Sequence, residues 1–302
     1  MRIGLWSDSH NFPSLPLMKL SAYHKQLGDD VEILNHLKHY DKVYASKTFS
    51  FTPDVDDLAM VCADEIVRGG AGYHIRLENG KEVFDGEDKP LPKEIEHLYP
   101  DYDLYPEYTS AVGFLTRGCP RGCGFCIVAK KEGRCSRKVA ELDEFWRGQK
   151  EITLLDPNIL ACKEHEELLK QLIKSKAWVD FNQGIDVRLL NECNIALLNK
   201  VKTKRIHFAW DNPKVDLTKC FQFYNDHGAV KSYAKRTVYI LTNYNSTEEE
   251  DLWRIYTVRD LGFTPYQMIY DKEHAPDSVK RMQRWCNSQF IFKSVPNFKD
   301  YK

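Results

Sequence analysis

From residue 111 onward the chain repeats one alternation, and few architectures can satisfy it. Apolar strand-like runs at Ala111–Thr116, Glu151–Leu155, Trp178–Phe181, Arg205–Ala209, Thr237–Leu241 and Tyr266–Tyr270 are each followed by a helix-like segment. Those segments are 139–147, 164–173, 192–201, 216–225, 247–260 and 277–285. Parallel strands need a crossover between neighbours, and a helix is the usual one. Six such units in register predict a parallel (β/α) barrel, or three-quarters of one, with chemistry at the C-terminal ends of the strands. A capping box at Ser246-Thr247-Glu248-Glu249 is expected to open the fifth helix, and Leu261-Gly262 to close it.

The first hundred residues read as a smaller α/β unit. Strands are predicted at 2–6, 31–34, 41–45 and 63–67, with a helix at 15–27 whose Leu17, Leu20, Tyr23 and Leu27 form one stripe. Gly28 is its expected stop, and Gly69-Gly70 closes the fourth strand. The fold class is thus α/β: a partial (β/α)6 TIM-like barrel preceded by a small Rossmann-like parallel domain. The expected division is 1–84, a Pro- and acid-rich linker at 85–106, a barrel at 107–290 and a tail at 291–302. In that linker Tyr99, Tyr102, Tyr105 and Tyr108 recur every third residue, which suits an extended segment laid over the core. Charge divides the same way. Residues 1–100 hold 11 Lys/Arg against 17 Asp/Glu, and residues 101–302 hold 32 against 27.

Composition narrows the class. With 42% hydrophobic and 29% charged residues the chain can bury a core, which excludes disorder as its main state. No apolar run approaches the roughly 18–20 residues that span a bilayer, so no membrane partner is expected. The opening MRIGLWSDSH lacks the pattern of a secretory signal, and a cytoplasmic location is expected. Nine cysteines, an odd number in such a chain, argue against a disulfide framework.

Three of the nine crowd into eight residues: Cys119-Pro120-Arg121-Gly122-Cys123-Gly124-Phe125-Cys126. Thiolates at this density suit a soft, polynuclear metal centre. A structural zinc site wants four ligands, and no second Cys-x2-4-Cys supplies them; Cys135 or His165 would be the remaining candidates. An iron–sulfur cubane tolerates three protein ligands, leaving one iron open to a small molecule. The glycines let the loop bend and leave backbone N–H groups for sulfides.

Cys119-x3-Cys123-x-Phe125-Cys126 resembles the cluster motif of the radical S-adenosylmethionine superfamily, including the aromatic before the third cysteine. Gly113-Phe114-Leu115-Thr116-Arg117-Gly118 before it resembles the branch with cobalamin-binding-type N-terminal domains and the methylthiotransferases. The resemblance implies that Cys119, Cys123 and Cys126 ligate a [4Fe–4S] cluster whose open iron binds S-adenosylmethionine. One electron, from a donor such as flavodoxin or ferredoxin, then yields a 5′-deoxyadenosyl radical that abstracts hydrogen from a substrate the sequence does not identify.

The same resemblance suggests roles for other residues, each beside an ordinary alternative. Phe125 lies near the adenine or merely packs in the loop. Arg137, ahead of Arg134 and Lys138, neutralises the cofactor carboxylate or belongs to a solvated basic run. Asp156 holds the cofactor amino group or starts an Asp-Pro-Asn turn. Gln183 and Asp186, with Asn182 and Arg188, serve cofactor ribose or substrate, or form a surface loop. Trp210 and Asp211 shape a substrate pocket, or Asp211 caps the next helix. Asn243 and Asn245 stand where relatives carry glycines, and Asn tolerates the same left-handed backbone.

Cobalamin is the branch point. Asp8-Ser9-His10 resembles the start of a cobalt-ligating motif but puts Pro13 where glycine belongs, and Gly69-Gly70 resembles the pair that admits the nucleotide tail. No further helix or strand is read between Gly70 and the linker. A truncated cobalamin-like domain without bound cobalamin is the expectation. The rivals are a cobalamin-dependent methyltransferase and a non-catalytic zinc or iron–sulfur binding protein. Nucleic acid is not indicated, since only 290–302 remain for an appended RNA-binding domain.

Overall fold

Strand β1 (Arg2–Ser7) lies at the centre of a parallel four-stranded sheet, between β2 (Asp30–Ile33) and β3 (Tyr40–Ser46), with β4 (Ala63–Gly69) beyond β3. The structure, a computed structural model, describes every residue except 10, 11, 56–61, 79 and 80. The order 2-1-3-4 reverses direction between β1 and β3, as in doubly wound folds. Helix Leu15–Gln26 carries Leu17 and Leu20 into a core with Ile3, Leu5 and Ile95. Gly28, at φ 83°, stops the helix as expected. Leu27 falls outside the predicted stripe. It is the capping residue and is 61% exposed.

The stretch read as a linker supplies part of that core. Helix Lys93–Glu96 buries Ile95, Lys19 reaches Glu96 across 3.0 Å, and Ser21 donates to Asp101 at 2.5 Å. Beyond Gly70 there is more structure than the sequence reading found: a short helix, Ala71–His74, and an antiparallel hairpin of β5 (Ile75–Glu78) and β6 (Lys81–Phe84). The hairpin stays separate from the four-stranded sheet. Its four-residue strands were too short to register against the turn-rich background.

The second sheet has six parallel strands in the order β14-β13-β12-β11-β10-β7. They are β7 (Ala111–Gly113), β10 (Glu151–Leu154), β11 (Trp178–Ile185), β12 (Thr203–Ala209), β13 (Arg236–Thr242) and β14 (Thr264–Ile269). A small antiparallel ladder joins β8 (Thr116–Arg117) to β9 (Arg137–Lys138). Five of the six predicted helices are present, at His165–Ser175, Glu192–Leu198, Thr218–His227, Glu248–Asp260 and Asp277–Asn287. The capping box of the fourth of these is Thr247 with Glu250, one residue beyond the predicted pair.

The first of the predicted helices, over 139–147, is reduced to a single 3-10 turn at Leu142–Glu144. A capping box, Glu144 accepting from the Glu141 N–H at 2.8 Å, opens the turn. A competing bond ends it: Tyr102 donates its hydroxyl at 2.7 Å to the Phe145 carbonyl, which would otherwise continue an i to i+4 ladder. Phe145 packs so closely on Gly113 that a Cβ there would fall 2.4 Å from its ring.

Contacts divide the chain into two compact units, Met1–Phe114 with Gly118–Arg134 and Val139–Ile152, and Leu115–Arg117 with Cys135–Lys138 and Thr153–Lys302. In the second, Val179, Phe181, Ile206, Phe208, Val238 and Ile240 are buried on alternate positions of three adjacent strands. Phe208 meets Phe221, Tyr224 and Phe263 at ring distances of 5.9, 4.9 and 5.8 Å. Burial of side chains this size is worth roughly 1.5–3 kcal/mol each. Residues 291–302 pack as well, with Phe292 and Phe298 against Trp285. Among the described residues no helix is long and apolar enough to cross a membrane.

Gly70 offers a test of the first unit. Its φ is 98°, and a Cβ there would sit 2.4 Å from the Lys47 carbonyl oxygen, whereas one on Gly69 would meet nothing within 4 Å. Gly70→Ala should cost at least about 2 kcal/mol in urea unfolding, and Gly69→Ala well under about 1 kcal/mol. Equal losses would refute this packing.

Candidate functional site

The cysteine loop follows β7 and is built by glycine turns. Gly118, Gly122 and Gly133 have φ of 89°, 59° and 96°, a region costly to other residues. The loop closes on itself: Cys119 N–H donates to the Gly133 carbonyl at 3.2 Å, and Cys126 N–H to the Cys123 carbonyl at 3.1 Å. Gly118 N–H donates to the Glu132 carboxylate at 3.0 Å. Cys119, Cys123 and Cys126 form no disulfide and are half-buried, and Phe125 is half-buried beside them in sequence. Among the described residues no three His, Cys, Asp or Glu side chains are gathered to hold a metal ion.

Arg134, weighted below Arg137 in the sequence reading, folds over this loop. Its guanidinium carbon lies 3.5 Å from where a Gly122 Cβ would be. Arg137 is exposed and sits in β9 opposite Arg117 of β8. The other proposed ligands have partners of their own. His165 Nδ1–H donates to the Cys162 carbonyl at 2.7 Å, and the exposed Cys135 thiol points to the Ser136 carbonyl.

Asp156, at the end of β10, is 4% exposed, and both carboxylate oxygens accept hydrogen bonds. Oδ1 takes Thr116 N–H at 2.5 Å and Thr116 Oγ1–H at 2.7 Å; Oδ2 takes Leu115 N–H at 3.2 Å. Burial pushes its carboxyl up to about 6, against the pull of those donors. Asp156 therefore fixes the backbone that leads in sequence to Gly118. Thr116, which shares this bond set, gave no signal in the sequence because its partner lies forty residues away.

The ends of β11, β12 and β13 carry the other predicted positions. In β11 the pairing slips between Phe181 and Ile185, and Gln183 stands exposed in the slipped segment. Asp186 is engaged by Arg188, Nε at 2.7 Å and Nη2 at 3.1 Å, and caps the turn Val187–Leu189. Asn243 and Asn245 do adopt left-handed backbone, φ 62° and 51°, so asparagine keeps the turn that glycine makes elsewhere. The Asn243 amide donates to the Tyr270 carbonyl at 2.9 Å, and its N–H to Asp251 at 3.3 Å.

Trp210 is not a pocket wall. It is fully buried, tilted against Phe221 and edge-on to Trp253, with Nε1–H on the Val215 carbonyl at 2.8 Å. Asp211 beside it does not cap the next helix, whose capping position is Leu217. Burial pushes the Asp211 carboxyl up to about 6, opposed by the Leu241 N–H and by the charges of Arg254 and Arg188. Arg254, wholly buried, donates to the carbonyls of Trp210 at 2.7 Å and Leu241 at 2.9 Å and pairs with Asp251. One guanidinium thus ties the tips of β12 and β13 together.

His10 lies outside the described residues. A Cβ on Gly70 would fall 2.4 Å from the Lys47 carbonyl oxygen, so packing within the chain is enough to require glycine there.

No protein-family model matches the chain, and no curated protein matches its sequence.

Two variants test the Asp156 clamp. Asp156→Ala leaves the Leu115 and Thr116 N–H groups without their acceptor, at about 1–3 kcal/mol each, so a loss of about 3 kcal/mol is expected. Because the folded carboxyl titrates near 6 and the unfolded one near 3.8, its protonation favours the folded state. Relative to Asp156→Asn, the wild type should be most stable below the lower value and lose that margin as pH rises through the upper one. A margin that grows through that window in urea titrations contradicts the assignment.

Proposed function

We propose that this protein is a radical S-adenosylmethionine enzyme with one [4Fe–4S] cluster. The observation that carries the reading is the motif Cys119-x3-Cys123-x-Phe125-Cys126, three cysteines outside any disulfide on one glycine-turned loop that follows the first strand of a parallel sheet. The strand order supports it. Six strands join in chain order with no reversal, so the sheet grows in one direction, as a partial (β/α)6 barrel does.

Three cysteine thiolates and no second cysteine pair form the donor set of a polynuclear iron–sulfur centre with an open position. When bound, such a centre supplies one-electron reductive cleavage of the sulfonium. The chain's own residues have separate tasks. Cys119, Cys123 and Cys126 would be the ligands, and Arg134 places positive charge against their loop. Asp156 and Thr116 hold the strand end that leads into the loop. Arg254 keeps the tips of β12 and β13 in fixed relation, which rigid positioning of a reactive species requires. Burial raises the Asp211 carboxyl at the tip of β12 to about 6, and Asn243 shapes the turn after β13.

The test is anaerobic purification, reconstitution with iron and sulfide, then addition of dithionite and S-adenosylmethionine. The expected product is 5′-deoxyadenosine, measured by chromatography, falling to background in Cys123→Ala. Undiminished product in that variant, or a stoichiometric zinc ion with no cleavage, would refute the reading. Corrinoid in the same preparation is not expected.

A further inference from the structure

Because the strands of the second sheet are parallel, their entry segments lie at one end, opposite to the tips that carry Asp211 and Asn243. Residues 174–178, 199–205 and 228–235, at the entries of β11, β12 and β13, hold two, four and two Lys/Arg. They contain no Asp or Glu, although over the whole chain the two kinds balance, 43 against 44. Lys174, Lys176, Lys200, Lys202, Arg205 and Lys231 are exposed. A lysine at a helix C-terminus is ordinary. Eight cations with no acid in the same segments are not.

Aromatic rings stand among these charges. Trp178, the first residue of β11, is 40% exposed. The Lys202 and Lys235 ammonium groups lie over its indole, 5.1 and 5.0 Å from the ring centre. Lys235 ends a 3-10 turn that begins with Tyr233, whose carbonyl accepts from Thr264 Oγ1 at 2.7 Å at the start of β14. Lys293 lies over the Tyr233 ring at 5.5 Å. Both residues line an open groove with Arg259, Phe292 and Pro296. Arg259 is engaged by Asp260 at 3.0 Å and by the Pro296 carbonyl at 2.6 Å, so it shapes the groove wall. Cation and ring thus alternate from Trp178 through Lys235 and Tyr233 to Lys293, across four adjacent strand entries. At about 4.8 Å per strand, those entries span roughly 14 Å.

We propose that this edge of the second sheet binds single-stranded nucleic acid, its phosphates on the lysines and its bases against Trp178 and Tyr233. A polynucleotide repeats one charge and one flat ring at every unit, which matches the alternation along the edge. An acidic protein surface has no such repeat, and a duplex keeps its base faces stacked inside. Lysine stems are flexible, so ammonium groups that rest on the indole can move onto phosphates and leave the ring to a base. The parts are dispersed over 174–235 and meet only through the parallel sheet, so the sequence shows no contiguous basic module. The inference goes beyond the radical reading, since this binding needs no cluster.

Fluorescence anisotropy of labelled oligouridylate and oligothymidylate, about 12 nucleotides long, tests it on the full chain. Saturable binding of at least one is expected. With four phosphate contacts, affinity should fall about fiftyfold between about 50 and 200 mM salt. Trp178→Ala should bind about tenfold more weakly, and Trp178→Phe close to wild type. Lys200→Glu combined with Lys202→Glu, both at exposed positions, should keep the wild-type melting temperature and lose at least about tenfold in affinity. Absence of binding at low salt, or undiminished binding by the lysine double variant, overturns the proposal. Displacement of the oligonucleotide by polyglutamate at equal charge overturns it in favour of an acidic protein partner, and binding to phosphatidylserine vesicles alone overturns it in favour of a membrane surface. Binding without S-adenosylmethionine cleavage leaves the inference standing and defeats only the earlier reading; cleavage without binding does the reverse.

Discussion

Covering one face of β11–β13 with apolar side chains is the constraint on which the second unit rests. Val179, Phe181, Ile206, Phe208, Val238 and Ile240 all point to the same side, and Phe221, Tyr224 and Phe263 complete that layer. With six side chains at roughly 1.5–3 kcal/mol each, this layer far exceeds any single polar contact in the molecule. It also sets the strand register, since a slip by one residue would exchange the two faces. The opposite side is thereby released from any duty to hold the fold. Asp180, Arg205 and His207 stand there, in places where a sheet buried on both sides would carry valine or isoleucine.

A second layer of order comes from polar groups that close strand ends. Asp156 gathers two N–H groups and one hydroxyl from Leu115 and Thr116. Arg254 does the converse, giving its donors to the carbonyls of Trp210 and Leu241. Both side chains are removed from water, where a broken partner set costs more than the bond itself contributes. Such groups make loops at strand tips as rigid as the strands, which a reactive site needs.

Much of the fold was legible because period 2 and period 3.6 are local properties. The alternation in Arg205-Ile206-His207-Phe208 and the helix stop at Gly28 need no distant partner to be read. What escaped the sequence depends on distance. The predicted helix over 139–147 looked sound locally and was undone by Tyr102, some forty residues away. The stretch 85–106 looked like a linker because Pro and acids dominate it, yet Ile95 inserts into the first core. The candidate site was read with similar unevenness. The cysteine loop stands out because three cysteines are contiguous, and the left-handed turn at Asn243 was visible in residue type. Arg254 was invisible, because nothing in a helix sequence announces that one arginine will be wholly buried. Arg134 and Arg137 were indistinguishable by spacing, and only the fold separates them.

The slip in β11 has a consequence for how this sheet can diversify. Between the pairs Phe181–Ile206 and Ile185–Phe208, β11 uses four residues where β12 uses two, so Asn182, Gln183 and Gly184 buckle out of the ladder. Gly184, at φ 108°, allows the buckle, and the Tyr239 hydroxyl reaches the displaced Asn182 carbonyl at 3.4 Å. Both flanking residues, Phe181 and Ile185, nevertheless return to the buried layer. The insert is therefore mechanically insulated: its length and chemistry can drift over generations while the hydrophobic stack beneath stays in place.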